Sequence, residues 1–72
     1  MSEVAVIGEH PIVVGFALAG ARVHPAYDPV QVRTAWESLP TTVGIVILTP
    51  TAAEALPEPS SETEPLRVVM PL

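Results

Sequence analysis

The sequence VAVIGEHPIVVGFALAG, residues 4–20, decides the fold of this chain. Its first four residues are apolar and mostly β-branched, and Gly8 follows them, which predicts a buried strand and a turn. Pro11 stands where a first helical turn would begin and Gly20 where it would end, so residues 11–19 are predicted to form a helix. A strand, a glycine turn and a helix make the first βα unit of an α/β fold.

Three further strands are predicted along the chain. Residues 21–26 form a short one, which we place at a sheet edge because Arg22 and His24 alternate along it. Val43–Leu48 is the most apolar run and belongs at the centre of the sheet, while residues 66–70 form the last strand. Alternation of strands and helices predicts one parallel four-stranded sheet in the order 2-1-3-4.

Two further helices are predicted between these strands. Asp28 is expected to cap the second helix, Pro29 to fill its first position and Gln31 to complete a capping box. Thr51 and Glu54 offer a second capping box for a shorter third helix. Four apolar residues at helical spacing give the second helix one buried stripe: Val32, Ala35, Trp36 and Leu39.

Length and composition fit one small domain over residues 1–72, with the order βαβαβαβ. Residues 57–65, PEPSSETEP, contain no apolar side chain except proline and are predicted to be a mobile acidic loop. The chain has no cysteine, so a disulfide cannot support a core that is small for its surface. Stability must come from dense apolar packing or from a partner.

Charge and hydropathy exclude several classes of partner. The net charge is −5, and the three arginines are scattered without any lysine, which argues against binding to nucleic acid or to an anionic membrane. No apolar run approaches the ~20 residues that span a bilayer, and the start of the chain lacks the basic region of a signal peptide. We therefore expect a cytoplasmic protein.

The turn after the first strand, GEHP at residues 8–11, does not match a phosphate-binding loop. Glu9 puts negative charge where a phosphate would lie, and Pro11 removes a backbone donor. His10 lies where open α/β sheets bind ligands and could be catalytic, but a solvated loop histidine is the simpler interpretation.

Two other patterns resemble sites without completing one. His24 and Asp28 have the residue types of a base and its orienting carboxylate, but no serine or cysteine in a nucleophile motif accompanies them. Glu58, Glu62 and Glu64 could bind a divalent cation weakly, although they lack a glycine-punctuated ligand loop. We expect no catalytic residue, no metal site and no cofactor.

The predicted first helix is apolar all round, which indicates a second covered surface. The sheet already receives Ile12, Phe16 and Ala19 from this helix. A different element or another chain must then cover the remaining apolar residues, which form the predicted partner interface: Val13, Val14, Ala17 and Leu18.

VAVIG at residues 4–8, followed by GFALAG at residues 15–20, resembles the F subunit of V-type and archaeal-type rotary ATPases. The match continues through DP at residues 28–29, VGIVILT at 43–49 and VVMP at 68–71. The resemblance implies a small Rossmann-like (flavodoxin-like) three-layer domain on the central rotor stalk. It also implies binding to the coiled-coil D subunit, no active site or cofactor, and a cytoplasmic position peripheral to the membrane.

Two features differ from that family, and other functions stay open. Ala17 stands where family members commonly have a basic residue, and the sequence ends at Leu72, before the family's C-terminal helical tail. The alternative is a stand-alone α/β binding module or a homodimer unrelated to ATPases. A minimal enzyme that uses His10 is a third hypothesis.

Overall fold

The computed structural model describes residues 3–9, 20–59 and 64–71. Within these ranges the elements follow the order β1 (Glu3–Gly8), β2 (Arg22–Pro25), α1 (Pro29–Glu37), β3 (Val43–Leu48), α2 (Pro50–Glu54) and β4 (Leu66–Val69). The helix predicted over residues 11–19 lies outside the described residues, as do residues 60–63 of the predicted mobile loop. The mobility of that loop stays a prediction.

The four strands form one parallel sheet in the order β2-β1-β3-β4, which confirms the predicted topology. The strands richest in apolar residues, β1 and β3, lie at the centre, where both neighbours satisfy their backbone groups. β2 is an edge strand, as its alternating Arg22 and His24 predicted, and β4 forms the other edge. The fold is therefore the expected α/β class.

The described helices pack against one face of the sheet. Alternate residues of the two central strands supply that face, and Val32 of α1 and Ala52 of α2 are buried against it. The stripe predicted for α1 is confirmed, because its other three members pack on the same cluster. The strand residues of this core are Ala5 and Ile7 of β1 and Val43, Val46 and Leu48 of β3.

The start of α1 agrees with its sequence signal. The Asp28 carboxylate accepts a hydrogen bond from the Gln31 backbone N–H at 2.8 Å, and Pro29 occupies the first turn. The Gln31 side chain in turn accepts from the backbone N–H of Tyr27 at 2.7 Å. The glutamine thus reaches one residue beyond the cap itself and fixes the entry of the chain into the helix.

The capping box predicted at Thr51 and Glu54 is wrong. The helix begins at Pro50, and its N-cap is Thr49, whose hydroxyl accepts from the Ala52 backbone N–H at 3.2 Å. Proline suits the first helical position because its fixed φ matches the helix and its missing N–H is not needed there. That preference moves the cap to the residue before Pro50 and puts Thr51 inside the helix.

Gly8 is required by close packing between the two central strands. Thr49, directly after β3, is fully buried against Gly8, the last residue of β1. A Cβ at Gly8 would lie 2.7 Å from the Thr49 Oγ1 and closer still to its methyl carbon. Gly8, which the sequence predicted to be a turn residue, is therefore needed because the Thr49 side chain packs directly against its backbone.

At the opposite end of the sheet, Glu3 joins three chain segments. Its carboxylate accepts from the Arg22 Nε at 2.7 Å and from the Thr42 hydroxyl. The hydrogen bond from Thr42, and next the one from Arg22, hold the pKa of Glu3 below its ordinary value. The amino ends of β1, β2 and β3 are thereby tied together at the surface.

We expect Gly8→Ala to lower the free energy of unfolding by about 1–3 kcal/mol, because the new methyl overpacks the contact with Thr49. Urea unfolding followed by circular dichroism measures the change. Thr49→Ser removes the methyl carbon that the new Cβ would approach most closely, so the double variant should lose less stability than the two single variants summed. Additive losses would contradict this packing argument.

Candidate functional site

The carboxyl ends of β1 and β3 form the place where open α/β sheets bind ligands. A cavity of about 50 Å³ lies there. Small-molecule sites usually measure about 300–1,000 Å³, so this cavity has room for little more than water. Its polar lining comes from four side chains: Glu9, Tyr27, Asp28 and Thr51.

Hydrogen bonds within the chain engage both carboxylates that line this cavity. The Thr49 hydroxyl donates to the Glu9 carboxylate at 2.8 Å while it caps α2. The backbone N–H of Ala26 donates to the Gly8 carbonyl at 2.8 Å, and the carboxylate of Asp28 caps α1. Among the described residues, the Thr49 hydroxyl and the Ala26 N–H are thus already engaged, and the lining of the cavity includes the carboxylate of Glu9, which a phosphate would be repelled by.

The pairing of His24 with Asp28 does not form. Asp28 binds the backbone of α1, whereas the His24 Nε2 is shielded from solvent and has no hydrogen-bond partner. Burial lowers the pKa of His24, and the charge of Arg22 lowers it further. A neutral imidazole without an orienting carboxylate lacks the geometry of a catalytic base.

Arg67 is the polar group that sequence reasoning missed. Its guanidinium carbon lies 4.5 Å from the centroid of the Trp36 ring, so β4 packs on α1 through a cation–π contact. One nitrogen donates to the Pro57 carbonyl at 2.5 Å and another contacts the Glu64 carboxylate at 3.4 Å. Arg67 therefore holds the residues on both sides of the acidic segment to the body of the domain.

Of the remaining predicted residues, those that the structure describes are not brought together into a site. Glu64 pairs with Arg67 and Glu58 is exposed, while Glu62 and His10 lie outside the described residues. Across residues 3–9, 20–59 and 64–71 no three metal-ligating side chains cluster. The predicted partner interface, Val13, Val14, Ala17 and Leu18, also falls outside these ranges.

The described helices are short, and neither has the length and apolar character needed to cross a membrane. α1 contains nine residues and α2 five. This finding concerns only the part of the chain that the structure describes.

A parallel sheet in the order 2-1-3-4, with helices packed on it, defines a small Rossmann-like α/β domain, and the described part of its usual ligand edge holds a cavity of about 50 Å³. The model of the family described as ATP synthase (F/14-kDa) subunit matches residues 4–72, nearly the whole chain. The chain belongs to this family, and the resemblance to the F subunit of rotary ATPases is confirmed. A search of curated proteins found no match.

His24 predicts a specific pH dependence of stability. Its pKa is lowered in the folded chain, so the unfolded chain binds a proton that the folded chain does not as pH falls below the ordinary value of 6.5. The free energy of unfolding therefore carries no penalty from His24 above pH 6.5, and it falls as the pH drops below that value. We expect His24→Gln to reduce the fall in unfolding free energy between about pH 7.5 and 5. A variant whose stability falls with pH as steeply as that of the parent chain would contradict the assignment.

Arg67→Lys tests the contact between β4 and α1. Lysine keeps the charge but loses the planar stacking on Trp36 and the two-sided hydrogen bonding, so we expect a loss of about 1 kcal/mol. Fluorescence of Trp36, the single tryptophan of the chain, reports urea unfolding directly. Arg33→Lys on the exposed side of α1 is the control. Identical unfolding midpoints for the two variants would rule out the proposed role of Arg67.

Proposed function

We propose that this chain is a non-catalytic central-stalk subunit of a V-type or archaeal-type rotary ATPase that translocates protons or sodium ions. Its partner there is the coiled-coil D subunit. The observation that carries the proposal is the family match over residues 4–72. In this role the chain is cytoplasmic and peripheral to the membrane, held there by other subunits of the complex.

The closed carboxyl edge of the sheet supports a role in binding other subunits. A Rossmann-like enzyme or nucleotide-binding domain needs room and free donors at this edge. Here the described edge has a cavity of about 50 Å³, and the hydroxyl of Thr49 is bonded to Glu9. The domain therefore supplies surfaces to an assembly, while the chemistry of ATP lies in other subunits.

The partner interface predicted from the sequence remains part of this proposal. Residues 13, 14, 17 and 18 supply more apolar surface than one side of a helix needs to cover a sheet. Exposed aliphatic surface costs about 25 cal/mol per Å², which is large against the stability of a domain of this size. A coiled-coil partner provides an apolar helical surface to cover these side chains.

Val14→Glu and Leu18→Glu are each expected to weaken association with the D subunit at least about tenfold, because a charge in an apolar contact loses its hydration. Co-expression with the neighbouring D-type subunit and size-exclusion chromatography show whether a complex forms. Val30→Glu adds the same charge to a valine that is 63% exposed on α1 and serves as the control. A stable monomer that does not bind the D subunit would contradict the proposed function, and a homodimer that ignores the D subunit would favour the stand-alone alternative.

A further inference from the structure

We draw no further inference here: the strongest candidate, the groove of about 420 Å³ between Trp36 of α1, Val43 of β3 and Pro65, carries nothing, because nothing in the described part of the chain shows what covers it.

Discussion

The contact of Thr49 with Gly8 fixes the centre of this molecule. The backbone N–H of Thr49 donates to the Ile7 carbonyl at 3.2 Å, its hydroxyl binds Glu9, and the same oxygen caps α2. One residue therefore closes the junction between the central strands, starts a helix and orients a carboxylate. Only a glycine at the end of β1 leaves room for it. The same residue thus ties together the described carboxyl ends of both central strands.

A domain of 72 residues can bury only a small apolar core. Among residues 3–9, 20–59 and 64–71, the largest fully buried side chains are Ile7, Leu48, Val6, Val46 and Thr49, and this set contains no aromatic ring. Small aliphatic residues pack densely but each removes a modest area from water. A domain with so small an apolar core gains stability from any partner that binds only its folded form, as the proposed stalk partner would.

Sequence reasoning succeeded where local patterns and global packing agree. The apolar runs of β1 and β3 predicted their central positions, and Asp28 with Gln31 predicted the start of α1. It failed at α2, because the spacing of Thr51 and Glu54 matches a capping box while Pro50 sets the true start. Sequence reasoning could not predict the contact of Arg67 with Trp36, because the two residues are far apart in the chain and belong to different local patterns.

That same contact accounts for the burial pattern of β4, in which the arginine is half-buried and the aliphatic side chains are exposed. Edge strands usually discourage association with an outward cation. Here the guanidinium turns inward to stack on Trp36 and to bond the Pro57 carbonyl, so α1 and the start of the acidic segment are stabilised by the charge that would otherwise protect the edge. Leu66 and Val68 are left to define the outer surface. An interaction that stabilises the fold on one face of the sheet therefore accompanies exposed aliphatic side chains on the other face of the same edge strand.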